Sequence, residues 1–573
     1  MAFNRAPMRF FGQHPAARGA AVVFVLAVIL RLVFWHELRD TSLDRLHEWQ
    51  ETDMATYVEQ ARRIADKDWF ATEPYHPYHA WQKVAPPEQW LRWYGPHTFH
   101  QAPGYSYVIA ALGRMVAEPL PLLKFAQLLL GGLTAAFVLL LAHRVGGGIA
   151  GIAAGLIAAT YGPLAYLETQ VLREGPALCA LVGILWLLAR WGADAAWRTL
   201  AVLGALLGAF ALLHEMATVL TMVVLVVTVV QRWPCGWRAL AKGLVAIAGG
   251  WLVGFAPLAV RNAAVGAPPL SVSCRATVNF VEANVADALE GGAVFAPPSP
   301  QAIAILDAAE GSSARALAGV WRSYDGDLGL LLGNWWSRFC AVWHAWEEAD
   351  NLSYYFFRNM TRALTLAPDF RWVFPAGFAG AIALLLAART RRRLDAPSAP
   401  GRADARTRLV LLTYLLAVTA ALSLVHPVAR FRLYVVPFFM VTAGVSVAML
   451  LDAVRRRAWR RVGVLGLLVG LGVLLQRGAT RDGAFSTPRP VDYAIARQFA
   501  SQRDEVGLLA RIAEDAAVHD PRNPSYFAVL GQHLERRGDH DRAIACYRRA
   551  LQCDPVEAIR KDLDALLART GRR

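Results

Sequence analysis

The chain has 573 residues, of which 56% are apolar and only 18% charged, against about 25% charged for soluble domains. That excludes a disordered chain, and six cysteines in this length exclude a disulfide-framework scaffold. The formal charge of +15, from 59 Lys and Arg over 44 Asp and Glu, fits nucleic acid, an anionic membrane surface or the inner loops of a membrane protein. Where the positive residues sit decides among these.

A spanning helix needs roughly 20 mostly apolar residues, and such stretches recur up to about residue 476. They begin near Gly19, Leu120, Ile149, Pro176, Leu200, Met216, Leu240, Trp372, Leu409, Leu433 and Val462, which predicts about eleven crossings. The first reads as a retained anchor rather than a signal peptide, because Arg31 interrupts it and no small-residue cleavage site follows. Lys and Arg resist translocation, so the short loops orient the chain. With the N-terminus inside, Arg5, Arg9, Arg18, Arg144, Arg190, Arg198, Arg232, Arg238 and Lys242 are cytoplasmic. So are the run Arg389 to Arg408 and the cluster Arg455, Arg456, Arg457, Arg460 and Arg461. The opposite short loops hold little beyond Arg173, Arg430 and Arg432. The basic charge therefore belongs to inner loops facing anionic lipid headgroups, not to a nucleic-acid surface.

Two large polar segments face outward, residues 37 to about 119 and about 261 to 371. The first opens with Glu51-Thr52-Asp53-Met54-Ala55-Thr56-Tyr57, running into Val58, Ala61, Ile64 and Ala65 at helical spacing. Asp53 starts that amphipathic helix, where the dipole favours an ionised carboxylate and where simple capping is the plain alternative. Then comes Thr98-Phe99-His100-Gln101-Ala102-Pro103-Gly104-Tyr105. An acidic residue, Tyr four positions on, and an aromatic-x-Gln-Ala-Pro-x-Tyr segment resemble the first outer loop of membrane glycosyltransferases of the GT-C fold. Within that fold the likeness is to glycosyltransferase family 39 and its bacterial relatives, including aminoarabinose transferases and protein mannosyltransferases. The resemblance gives Asp53 the part of catalytic base and makes Tyr57, His100, Gln101 and Tyr105 substrate-binding candidates. A Trp-, Tyr-, His- and Pro-rich insert, about Thr72 to Pro96, departs from the family spacing and reads as either an acceptor-facing lid or a loop elaboration.

The next outer turn, Tyr166 to Pro176, supplies Glu174 where the family carries a second acidic residue, with Glu168 as the alternative and capping as the plain reading. Ionisable residues beside spans are costly and tend to be functional. Arg261-Asn262 resembles the family's Arg-Asn segment, although a lone Arg just outside a span is often an interfacial anchor. Glu347, with Glu348 unresolved against it, matches an acidic position before Asn351 and the aromatic run Tyr354-Tyr355-Phe356. Last, His426-Pro427-Val428-Ala429-Arg430-Phe431-Arg432 resembles the family's Arg-aromatic-Arg segment, which the resemblance implicates in holding a lipid phosphate. Guanidinium keeps its charge and can chelate phosphate oxygens bidentately, while snorkelling anchors are the plain alternative.

The sequence thus predicts an all-α polytopic membrane protein, a GT-C domain over 1–480 with large outer loops and a soluble helical region over 485–573. In that tail Phe527, Leu530, Gly531, Leu534, Gly538, Ala543, Tyr547, Ala550 and Pro555 match the tetratricopeptide pattern across its 34-residue period. Asp504 to Pro521 reads as the end of a weaker preceding repeat, and Val556 to Arg569 as a capping helix.

The resemblance implies an inverting hexosyl- or pentosyltransferase in the inner or plasma membrane, with its active site and C-terminal region periplasmic. The donor would be a polyprenyl-phosphate sugar and the acceptor a glycan, lipid or protein hydroxyl. Asp53 and Glu174 would be catalytic, with Arg261, Asn262, Glu347, Arg430 and Arg432 among the substrate-binding groups. No cofactor and no metal ligand are expected, though a divalent ion is compatible with His100 and the nearby carboxylates. The tail reads either as a docking region for a protein partner or as plain structural packing. Cys274 and Cys340 could pair as a disulfide in an oxidising compartment. The competing readings are a flippase for a lipid-linked sugar and a non-catalytic scaffold recruiting partners through its tail.

Overall fold

A computed structural model describes residues 15–66, 68–192, 195–288, 297–391, 405–425, 428–479 and 487–572. His426 and Pro427 of the last outer motif, and Arg5 and Arg9, lie outside the described residues. All secondary structure among the described residues is helical. Nine of these helices are long and apolar enough to cross a membrane: Pro15–Leu38, Pro119–Thr160, Glu174–Trp191, Met216–Cys235, Trp237–Val265, Arg362–Leu386, Ala405–Leu422, Val436–Arg455 and Trp459–Gly478.

The difference from the expected number has two local causes. Pro119–Thr160 has 42 residues, about 63 Å of helix and twice the thickness of a hydrocarbon core. It is broken at Gly147, whose φ of 83° and ψ of −170° are not helical and suit glycine alone. Beyond the break Gly151 lies against His143 and Gly155 against Leu139, so the chain doubles back and the one helix makes two crossings. Trp197–Leu213 is apolar but shorter, at 17 residues. Counting both restores the eleven apolar segments read from the sequence.

The short helix is held by backbone proximity. Gly204 and Gly208 face the backbone oxygens of Ile247 and Trp251, and Gly250 and Gly254 face those of Ala201 and Ala205, so closely that a methyl at any of the four would overlap the facing oxygen. Two small-xxx-small stripes thus lock Trp197–Leu213 onto Trp237–Val265, the packing available where lipid removes any hydrophobic drive between helices.

The chain divides into two compact units, the first comprising residues 1–30, 49–346 and 368–481. Besides the spans it holds an extramembrane core in which the aromatic insert is packed rather than loose. Trp90, Trp93 and Tyr94 are buried with Cys274, Val278, Val281, Leu306 and Val320. The indoles are pinned by their N–H groups, Trp93 donating to Asp307 at 2.8 Å and Trp90 to the Gln82 carbonyl at 2.8 Å. Buried indoles need such partners.

The second unit comprises 31–48, 347–367 and 482–573. Its tail forms five helices, Pro490–Gln502, Val506–His519, Ser525–Arg536, His540–Cys553 and Glu557–Thr570. Gly531 sits against the Tyr547 ring, with Phe527, Leu530, Leu534, Ala543 and Ala550 buried around them. A helical pair cannot bury its apolar face alone. Here the tail is tied to the unit's other segments, the Ser42 amide and hydroxyl both donating to Glu505 at 3.0 Å and the Ser353 amide to Asp492 at 3.1 Å.

Candidate functional site

Thr52 caps the helix Asp53–Ala65, its hydroxyl accepting from the Ala55 amide at 3.2 Å. Met54, Tyr57, Ala61 and Ile64 recur at helical spacing and are buried, which sets the helix down on Gly104–Met115. There Ser106 donates to the Tyr57 carbonyl at 3.1 Å and the rings of Tyr57 and Tyr105 meet edge to face at 5.0 Å. Asp53, first residue of its helix, is thereby aimed at two partners. Gln101 Nε2 donates to its Oδ1 at 2.5 Å, and Arg430 forms an ion pair with its Oδ2. The other arm of Arg430 lies 3.7 Å from Glu174 Oε1. Glu174 is the first residue of the span Glu174–Trp191 and 1% exposed. One guanidinium therefore stands between a half-buried carboxylate, Asp53, and a buried one, Glu174, drawn from separate segments between spans.

Beside this triad is a second charge pair. Arg173 Nη2 lies 2.8 Å from Glu215 Oε2, and Glu215 also accepts from the Ser273 hydroxyl at 2.8 Å and the Ala102 amide at 3.2 Å. Next to it, His214 accepts from the Met216 amide at 3.1 Å and packs its ring 4.9 Å from Tyr434. Arg173 also stands over the Tyr57 ring at 5.8 Å.

The electrostatics follow from burial set against these partners. Burial alone would raise the Asp53 carboxyl, but the Arg430 guanidinium outweighs it and holds the group well below the usual carboxylate range. Burial likewise opposes ionisation of Glu215, and the Arg173 guanidinium, with the Ser273 hydroxyl, brings its carboxyl down to about 2. Burial pushes the Tyr57 phenol up and, helped by Arg173, keeps His214 neutral. Around the two pairs lie buried polar atoms with no hydrogen-bond partner among the described residues: Tyr57 Oη, Gln101 Oε1, Glu174 Oε2, His214 Nε2 and Tyr434 Oη. Each such atom costs about 1–3 kcal/mol.

The other expected site residues are placed differently. Arg261 is consumed by the first outer loop, donating to the carbonyls of Phe70 at 2.7 Å, His97 at 2.6 Å and Ala71, with its plane over Phe99 at 4.1 Å. Asn262 closes a turn by donating to the Ser271 and Pro268 carbonyls at 2.8 and 3.2 Å. Arg432 is 1% exposed and donates to the carbonyls of His344 at 2.7 Å and Trp346 at 2.6 Å, its guanidinium over the Phe370 ring at 4.5 Å. In both arginines guanidinium N–H groups meet main-chain oxygens of the chain itself. Tyr105 donates to Gln127 at 2.5 Å, and Gln127 holds the Glu168 and Gln170 carbonyls at 2.9 and 2.8 Å, bracing the turn that leads to Glu174. Glu347 belongs to the second unit, where its amide donates to the Tyr355 hydroxyl at 3.2 Å.

Glu215 was not read from the sequence as a site residue. The available signal was an acidic residue between two apolar runs, on the same side as Arg173, one of the three outer arginines that break the inner bias.

Cys274 carries a thiol that donates to the His100 carbonyl at 3.8 Å, not the disulfide suggested by the sequence. Its Sγ and ring nitrogens of His76 and His100 lie within 4.8 Å of one another, a donor set that the expectation of no metal ligand did not include.

No family model matches the chain, and no curated protein matches it. Solved structures do. The chain is similar to the Archaeoglobus fulgidus oligosaccharyltransferase in its apo form, with a TM-score of 0.42 and 15% identity over 85% of this chain and 58% of that one. The archaeal oligosaccharyltransferase AglB from Archaeoglobus fulgidus, in complex with an inhibitory peptide and a dolichol-phosphate, gives 0.41 and 14%, over 86% and 58%. ArnT from Cupriavidus metallidurans bound to undecaprenyl phosphate gives 0.38 and 16%, over 93% and 76%. The chain thus spans less than two thirds of the length of either archaeal chain, and the proteins whose structures it resembles are membrane glycosyltransferases of the GT-C fold.

Proposed function

We propose that the chain is an integral-membrane glycosyltransferase of the GT-C class. It transfers a sugar from a polyprenyl-phosphate-linked donor to an acceptor hydroxyl at the extracytoplasmic face, with inversion. The observation that carries this reading is the single guanidinium of Arg430 held between Asp53 and Glu174, with unpartnered buried polar atoms around it.

In this reading Asp53 takes the proton of the acceptor hydroxyl as its oxygen bonds to the anomeric carbon and the bond from that carbon to the phosphate oxygen breaks. Arg430 receives the charge that develops on the departing polyprenyl phosphate. A carboxylate already paired with Arg430 is a poor base. A donor phosphate competing for that guanidinium loosens the pair, and Asp53 in its half-buried position regains basicity. Glu174 keeps Arg430 oriented from the other side. With Arg261 and Arg432 committed to carbonyls, the phosphate falls to Arg430.

The periplasmic placement rests on the arginine bias of the short loops and on alternate crossing, which puts residues 53, 101, 174, 215 and 430 at the same end of the spans. The tail is proposed as a tetratricopeptide-type partner-docking region, supported by its paired helices and small buried residues.

The test is transfer by full-length protein in proteoliposomes, with envelope glycans, lipids and proteins of cells with and without the chain compared by mass spectrometry. Asp53→Asn and Arg430→Ala should insert normally and lose transfer. Wild-type turnover in both would remove the assignment. Lipid-sugar movement without transfer would favour a flippase, and partner capture without transfer a scaffold.

A further inference from the structure

Three remote segments meet beside the Asp53 site. His76 comes from the aromatic insert, His100 from the first outer motif, and Cys274 from the second outer loop. Their ligand-capable atoms all lie within 4.8 Å of one another. His100 is 4% exposed and its Nδ1 has no hydrogen-bond partner, while Cys274 is 8% exposed. Neither ring nitrogen of His76 makes a hydrogen bond of ordinary geometry, although the Pro96 carbonyl bears on the ring. The rings are held in place by Tyr94, which stacks on His76 at 5.6 Å and meets His100 edge-on at 5.2 Å. Tyr94 is itself fixed through its hydroxyl by Gln82 at 3.0 Å and Arg275 at 3.2 Å.

We propose that His76, His100 and Cys274 bind one zinc ion, which fastens the insert to the loop carrying Gln101 and to the second outer loop. Two imidazoles and a thiolate are a borderline-soft donor set that suits zinc and not magnesium or calcium. Donors at about 2.0–2.3 Å from a tetrahedral zinc are roughly 3.3–3.8 Å apart, so the cluster must tighten by about 1 Å.

Imidazole ligates in its neutral form. Burial, with Arg275, keeps His100 neutral, and burial brings His76 down to about 4. Burial pushes the Cys274 thiol up and Arg275 offsets this only in part, so zinc must displace the thiol proton, and the thiolate then cancels one of the ion's two charges. Three protein ligands leave a fourth position for water. Because His100 precedes Gln101, which donates to Asp53, an ion here would stiffen that side of the candidate site.

The experiment uses full-length protein in detergent, stripped by chelator and dialysed against zinc alone. About one zinc per chain is expected, as is a thiolate-to-cobalt charge-transfer band when cobalt replaces zinc. His76→Ala and Cys274→Ser should each weaken zinc binding at least tenfold. No stoichiometric zinc in the wild type, or a cobalt spectrum unchanged by Cys274→Ser, overturns the proposal. Should the variants misfold, alkylation of wild-type Cys274 mapped by mass spectrometry decides the matter, with exposed Cys235 as the reference. Zinc should slow Cys274 at least tenfold and leave Cys235 unchanged, and equal slowing or none overturns the site.

Discussion

The guanidinium of Arg430 is ion-paired with the carboxylate of Asp53, joining the last outer turn to the first helix of the first outer loop. Its other arm reaches Glu174 at 3.7 Å, so removing the arginine takes the shared counter-ion from a half-buried and a buried carboxylate. Arg430→Ala should lower turnover about 10²- to 10³-fold, and Asp53→Asn about 10²- to 10⁴-fold. Because the two residues act through one pair, the double variant should be far less impaired than the product of the single losses. A double-mutant cycle on transfer rate that proved multiplicative would show that the residues act independently.

Arg430 and Arg432 stand two positions apart and should fail in different ways. Arg432 spends its donors on the His344 and Trp346 carbonyls, so Arg432→Ala strands buried acceptors, at about 1–3 kcal/mol for each group left unsatisfied. It should lower the melting temperature of the purified protein, with transfer per folded molecule retained. Arg430→Ala should lose transfer per folded molecule well beyond any fall in its melting temperature, since it leaves Asp53 and Glu174 without their shared counter-ion. Matched melting and turnover measurements on both variants check this, and loss of transfer without loss of stability in Arg432→Ala would return that residue to the phosphate site.

The pair Arg173 and Glu215 should give stability a pH dependence. The Glu215 carboxyl lies at about 2 in the folded protein against an ordinary 4.5. A group whose folded pKa is depressed adds stability that is complete above its unfolded pKa and disappears as pH falls through the folded one. The contribution, on the order of 2–3 kcal/mol, should therefore be flat above about pH 5 and decline from there toward pH 2. Glu215→Gln should flatten much of that slope in melts taken between about pH 5 and 3, leaving the residue due to Asp53, whose carboxyl is depressed in the same direction. Equal slopes in variant and wild type would show that the pair lends no such stability. Glu215→Ala should cost more than the Gln variant, because it leaves Arg173 buried and unpaired.

The spans were legible because runs of about 20 apolar residues have few other meanings, and even the break at Gly147 separates two runs that the sequence already counted apart. Asp53, Gln101, Glu174 and Arg430 could be nominated through the likeness of their segments to GT-C glycosyltransferases, with their places beside apolar runs as support. Their convergence could not be read, since it depends on how four outer segments fold over one another. The sequence could not tell Arg430 from Arg432 or Arg261 either. A guanidinium looks the same whether its donors meet a ligand or main-chain carbonyls, and that accounting exists only in three dimensions. Glu215 passed unnoticed because one acidic residue between two apolar runs also reads as a cap.

The close crossing of Trp197–Leu213 and Trp237–Val265 gives a test within two adjacent residues. Gly250 faces the Ala201 oxygen so closely that a methyl would overlap it, whereas Gly249 has nothing within 4 Å of the position a methyl would take. Gly250→Ala should push the helices apart and cost about 1–3 kcal/mol, while Gly249→Ala should be neutral or slightly stabilising, since alanine favours helix over glycine. The shorter helix leads directly to His214 and Glu215, so a shift at Gly250 should also loosen Glu215 from Arg173 and lower transfer along with stability. Thermal melts of the two variants in the same detergent read the first effect, and transfer per folded molecule reads the second. If both substitutions behave alike, the helices are not held by that backbone contact.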